Sequence, residues 1–107
     1  MPSYNTVQLV RNEDVFFGLH CRVLIRVWLV PKDKRFPSGI KYSLTFLFKG
    51  ERVLAYDNHE GKGHHRHERE KEEPNLFFGS EMNLQDVDQL VRVFWKEVTE
   101  IKKMLER

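Results

Sequence analysis

The chain has 107 residues, 40% of them hydrophobic and 32% charged, and its 18 lysines and arginines nearly balance 16 aspartates and glutamates. That length holds one domain, 1–107, with a modest core and no room for a second. A formal charge of +2 is too small to demand a nucleic-acid partner. The single cysteine, Cys21, excludes an internal disulfide framework, and no apolar run approaches the roughly 20 residues that span a bilayer. The expectation is a cytoplasmic protein that does not associate with membranes.

In chain order, Thr6 to Val10 and Asp14 to Phe17 each have the make-up of a short strand, with Arg11-Asn12-Glu13-Asp14 as a turn between them. From Leu19 to Val30, Cys21, Val23, Ile25, Val27 and Leu29 alternate with His20, Arg22, Leu24, Arg26 and Trp28, which is strand periodicity. Two prolines and a glycine make the next nine residues a loop. Ile40, Tyr42, Leu44, Phe46 and Phe48 then alternate with Lys41, Ser43 and Thr45 in another strand. Lys49-Gly50-Glu51-Arg52 reads as a hairpin turn; a loop of two or of four residues sets Phe48 opposite Val53, Phe46 opposite Ala55 and Tyr56 beside Thr45. Asn58 to Glu73 carries four of the five histidines and nine charges, so it has nothing to bury. Asn83 with Asp86 three residues later approximates a capping box. Beyond them Leu84, Val87, Leu90, Val91, Phe94, Val98, Ile101 and Leu105 form one stripe of a long helix.

The fold class these elements predict is α+β: an antiparallel β-meander of three to five strands packed by one long C-terminal helix, a two-layer sandwich. The helix covers the Cys21/Ile25/Phe46/Phe48 face. The other face is left with Leu24, Trp28, Val30, Leu47, Leu54 and Tyr56, a patch of the kind that meets a homodimer mate or another protein. Residues 1–57 carry nine basic and five acidic side chains, and residues 58–107 nine and eleven, so the basic bias lies on the sheet.

Chemistry concentrates in Tyr56-Asp57-Asn58-His59-Glu60-Gly61-Lys62-Gly63-His64-His65-Arg66-His67. Imidazole titrates near neutral pH, so a pair can act as base and acid in one cycle, and it is also a common metal ligand. RNA brings its own nucleophile, the 2′-OH. A protein that cleaves it needs a base for that hydroxyl, an acid for the leaving 5′ oxygen and a cation for the phosphorane charge. His64, His65 and His67 are the acid–base candidates, Arg66 the cation and Asp57 the group that orients an imidazole. Arg22, Arg26 and Lys41 on the open sheet face are candidates for holding phosphates, with Tyr56 or Trp28 stacking on a base. Such a reaction needs no cofactor. The competing reading is a non-catalytic metal-binding or interaction domain, in which His59, His65 and His67, with Asp57, hold zinc or nickel. If residues 64–67 are extended, His65 and His67 share one face and His64 and Arg66 the other; if they are helical, His64 and His67 converge.

At this cluster the sequence resembles the TumE family of toxins from toxin–antitoxin pairs. The resemblance rests on Tyr56-Asp57-Asn58 at a strand end, then His59, then His64-His65-Arg66-His67, with a hairpin before the motif and a helix after it. The intervening Glu60-Gly61-Lys62-Gly63 is shorter than the insert of that family. The resemblance implies a toxin role and an antitoxin partner that covers the exposed sheet. A ribonuclease activity is an extension from the chemistry of the cluster.

Overall fold

Alternating apolar residues from Cys21 to Phe48 build the centre of the sheet, and the rest of the chain is added at its margins. The computed structural model describes residues 6–58, 63–74 and 82–107. Six strands form one antiparallel sheet in chain order: β1 (Gln8–Phe17), β2 (Cys21–Leu29), β3 (Ile40–Phe48), β4 (Glu51–Asp57), β5 (His65–Glu68) and β6 (Lys71–Pro74). One helix, α1 (Leu84–Leu105), covers one face. The α+β class and the meander are therefore as expected, but with six strands where three to five were predicted.

Two of the differences have local causes. The two short strands expected before Leu19 are the single strand β1. Its register slips between Leu9 and Arg11, so Val10 is an extra residue and the strand continues through Arg11-Asn12-Glu13-Asp14 instead of turning. Arg11 and Glu13 point to the helix side, where Arg11 bonds Glu13 and donates to Asp88 of α1 at 3.1 Å. An edge strand tolerates inward charges that a central strand would not. The second difference is β5 and β6, which arise from the histidine-rich segment. They carry alternation of charge but none of hydrophobicity, so an apolar pattern does not reveal them. Arg69, with φ of 55°, sits in their two-residue turn and donates its N–H to the Val53 carbonyl at 3.0 Å.

The hairpin between β3 and β4 corrects a register. Lys49 and Gly50, both with positive φ (53° and 82°), make a two-residue turn that pairs Phe48 with Glu51 and Leu47 with Arg52. A bulge then takes up Val53, so Phe46 faces Leu54 where Ala55 was expected, and Tyr56 faces Leu44 where Thr45 was expected. Directly paired residues share a face. Leu54 and Tyr56 thus turn under the helix, and the apolar patch expected on the open face shrinks to partly covered Leu24, Trp28, Val30 and Leu47.

The core lies between sheet and helix. Val23, Ile25, Val27, Tyr42, Leu44, Phe46 and Leu54 meet Val87, Leu90, Phe94 and Val98 there, all of them buried. The helix starts where expected: the Asn83 side chain accepts from the Asp86 N–H and the Asp86 carboxylate accepts from the Asn83 N–H, each at 2.9 Å.

Candidate functional site

Residues 65–67 lie in β5 and His64 sits in the bend before it, so the run is divided between the two faces of the sheet. Pairing of Asp57 with His65, Tyr56 with Arg66 and Ala55 with His67 across β4 and β5 puts Asp57, His65 and His67 on the open face and Tyr56 and Arg66 on the helix face. The β5–β6 turn then sets Glu72 opposite His67. Four titratable side chains consequently share one patch.

Within it, His67 Nε2 lies 3.1 Å from Asp57 Oδ2, and His65 Nδ1 lies 3.1 Å from Glu72 Oε1, which is also 3.9 Å from His67 Nε2. The two imidazole centroids are 6.4 Å apart with planes tilted by 30°. Asp57 is 6% exposed and His67 8%, so their polar atoms face one another in a largely desolvated site. Each imidazole has its own carboxylate, and a carboxylate contact of this kind selects the tautomer and orientation of the ring. The open face continues in the same row: Arg26 pairs with Ser43, Ser43 with Asp57 and Asp57 with His65. Among the described residues Arg26 forms no ion pair within 4 Å.

The helix face is built differently. Arg66 bonds Glu97 of α1 through Nε at 3.2 Å and through Nη2, and it also reaches Glu73 and Glu68 at 3.0 and 3.1 Å. Tyr56 donates its hydroxyl to the same Glu97. Burial pushes the Tyr56 hydroxyl up, and its bond to Glu97 pushes further in the same direction. Burial acts to raise the Glu97 carboxyl, but hydrogen bonds from Arg66 and Tyr56 prevail and hold it below the usual carboxylate range. His64 Nδ1 is 2.8 Å from the Tyr42 hydroxyl, with the two rings stacked at 5.7 Å. Burial, and secondarily the neighbouring His65, lower the His64 pKa and so favour the neutral ring.

The candidate residues are therefore split. The structure brings together Asp57, His65 and His67; it places His64, Arg66 and Tyr56 on the other side of the sheet, where Arg66 is surrounded by carboxylates and Tyr56 belongs to the core. Tyr56 consequently presents no ring to the open face for stacking, and Trp28 does. Of the basic candidates, Arg22 is on the open face but holds Asp14 through two bonds of 2.9 and 2.7 Å, Lys41 lies over the Trp28 ring at 5.2 Å, and Arg26 pairs with Ser43 in the row of Asp57 and acts electrostatically on Asp14 of β1. His59, of the metal reading, lies outside the described residues. Among those described, no group of three or more His, Cys, Asp or Glu side chains is arranged to hold a metal ion.

Sequence reasoning gave no role to Glu72 or Asn58. Glu72 would have been found by supposing a two-residue turn after Glu68, which leaves it facing His67. Asn58 explains why Tyr-Asp-Asn ends the strand: its Oδ1 accepts from the Tyr42 N–H at 2.9 Å and its Nδ2 donates to the Ile40 carbonyl at 2.8 Å. The side chain takes over the β3 backbone groups as the β4 backbone leaves the sheet, fixing Asp57 immediately before it.

The family model described as Toxin TumE matches residues 7–102, which takes in every strand and nearly all of the helix. The chain belongs to the TumE toxin family. The match extends the resemblance from about a dozen residues at the histidine motif to the whole sheet and helix. No curated protein and no solved structure matches the chain. Among the described residues no helix is long and apolar enough to cross a membrane.

Proposed function

We propose that this TumE-family chain is a toxin that cleaves RNA by metal-independent acid–base chemistry at the His65/His67 pair. The observation that carries the reading is the convergence of two imidazoles, each contacted at 3.1 Å by its own carboxylate, on one face of a sheet with basic residues. One imidazole takes the proton of a 2′-OH as that oxygen bonds to phosphorus. The other gives a proton to the 5′ oxygen as the phosphorus–oxygen bond breaks, leaving a 2′,3′-cyclic phosphate and a free 5′-OH. Asp57 orients His67 and Glu72 orients His65. Arg26, in the row of Ser43 and Asp57, takes the part of phosphate-facing cation that the sequence pattern gave to Arg66.

A toxin of a toxin–antitoxin pair has an antitoxin partner, and the open face is where we place it. Phe16, 72% exposed, and Leu9, 46% exposed, stand on that face beside Arg22 and Trp28, offering a protein partner both apolar contact and charge. A partner seated there covers the histidine pair as well, which would silence the toxin. A second copy of the chain is the competing occupant, and the mass of the purified toxin in solution separates the two.

The test is growth inhibition on induced expression. The His67→Ala variant should still fold and accumulate, with a melting temperature lowered by the loss of the buried contact to Asp57, and no longer arrest growth. Full toxicity in a stable His67→Ala protein sinks the proposal. The alternative of a non-catalytic zinc or nickel domain predicts instead that chelator lowers the melting temperature of the purified protein and that the metal restores it.

A further inference from the structure

The open face carries a second feature beside the histidine pair. A hollow of about 300 Å³ opens beside β2 and β3, walled by Trp28, Val30, Pro31 and Phe36 and carrying Arg35 and Lys41 as its charged groups. Among the described residues no carboxylate lines it. Asp33 holds Arg35 at 2.8 Å, so Lys41 is the cation that remains without an ion pair among the described residues. Its Nζ sits 5.2 Å from the centre of the Trp28 ring. An apolar slot with an aromatic face and a cation at that face suits a planar ring joined to an anion.

Its position gives that chemistry a use. Trp28 pairs with Lys41, and this pair is the next row on the same face after Arg26, Ser43, Asp57 and His65. Two residues along a strand and two strands across separate Lys41 from His65 by roughly 12 Å at the backbone. A larger hollow, about 870 Å³ near the end of α1, is lined by Glu51, Glu68 and Glu70 together with Arg52, Arg69 and Lys71. Those charges offset one another, and the hollow does not adjoin the histidines.

We infer that the Trp28–Lys41 hollow is a base-binding subsite for single-stranded RNA: it stacks one base on Trp28 and pairs the attached phosphate with Lys41, so that a neighbouring phosphate lies at His65 and His67. The inference rests on the RNA-cleaving reading above and names where the substrate strand is held. It also accounts for a sheet that carries an indole and basic side chains in the open, a combination used to bind single strands through stacking and backbone charge.

The experiment uses a fluorescein-labelled pool of all-deoxy eight-residue oligonucleotides, which lack the 2′-OH and so bind without being cut, titrated with the full-length protein and read by anisotropy. Trp28→Ala and Lys41→Ala should each weaken binding about tenfold, within the range found for loss of one stacked base. Lys96→Ala, which removes an exposed cation from the helix, should bind as wild type does. Trp28→Phe guards against loss of the fold and should retain most of the affinity. Equal affinity in wild type, Trp28→Ala and Lys41→Ala overturns the subsite, as does the absence of saturable binding by the wild type. Cleavage of the matching RNA pool, run in parallel, separates the two ideas. RNA cleavage with binding indifferent to Trp28 and Lys41 ends the subsite and leaves the reading intact; binding that depends on both residues, with RNA left whole, keeps the subsite and ends the reading.

Discussion

His65 and His67 stand on the open face of β5 with Asp57 and Glu72, whereas Arg66, between them in the chain, points under the helix with Tyr56 and Glu97. His64, one residue earlier, lies with Tyr42 and Asn58 on that same inner side. A strand separates neighbours by alternation, so one run of four residues supplies both a possible reaction centre and the polar clamp that docks the edge hairpin on α1. The difference lies in the partners. On the inner side Arg66 meets three carboxylates and a tyrosine hydroxyl, with its charge offset and its donors used. On the open side two imidazoles and two carboxylates face one another, on a surface that also carries Arg22, Arg26 and Lys41.

This contrast is broken most severely by removing one imidazole. His67→Ala should lower RNA cleavage by at least about 100-fold, the usual worth of a general acid or base, in a protein that still folds but melts lower because Asp57 loses its buried partner. His64→Phe, which keeps the stack on Tyr42, should leave cleavage within a few-fold of wild type. Equal losses in the two variants would abolish the distinction between the faces.

On the inner side the expected effects are on stability. Glu97→Ala leaves Arg66 and the Tyr56 hydroxyl without their shared acceptor and should cost about 2–3 kcal/mol in denaturant unfolding. Acid sharpens the same point. Because the Glu97 carboxyl is held below its unfolded value, the stability it contributes is complete above the ordinary glutamate pKa near 4.3 and is lost as pH falls through the folded value. The wild type should therefore lose stability more steeply than Glu97→Gln below about pH 4.5, and parallel curves would contradict the assignment.

Smaller effects follow at the ends of elements. Asn58→Ala strips the Tyr42 N–H and the Ile40 carbonyl of their partner and should cost about 2 kcal/mol. Since Asn58 also fixes the chain next to Asp57, RNA cleavage should fall with it. Asn83→Ala removes half of the capping box and should cost about 1 kcal/mol with cleavage unaffected.

How much of this was legible in the sequence depended on the kind of signal. The central strands, the helix and its Asn83 cap follow from apolar periodicity and one capping pair, because burial there is decided by side chains that differ sharply in hydrophobicity. The strand β5–β6 hairpin has only charged and histidine side chains, so the pairing that holds it is carried by backbone bonds and by Arg66, which no hydrophobic pattern records. Tyr56 went to the wrong face in the sequence reading because a single bulged residue, Val53, inverts every position after it. The extended alternative for residues 64–67 did anticipate that His65 and His67 would share a face and leave His64 and Arg66 on the other. Its consequence, that Arg66 is not the cation of the cluster, needed Glu97, which is 31 residues away in the chain.

The most direct test of the central claim is incubation of the purified protein with end-labelled RNA in excess EDTA, beside His67→Ala, followed by analysis of the product ends. The account predicts cleavage by the wild type alone, leaving 2′,3′-cyclic phosphates. RNA that stays intact in EDTA and is cut only when a divalent metal is returned, or that His67→Ala cuts as fast as the wild type, would contradict it.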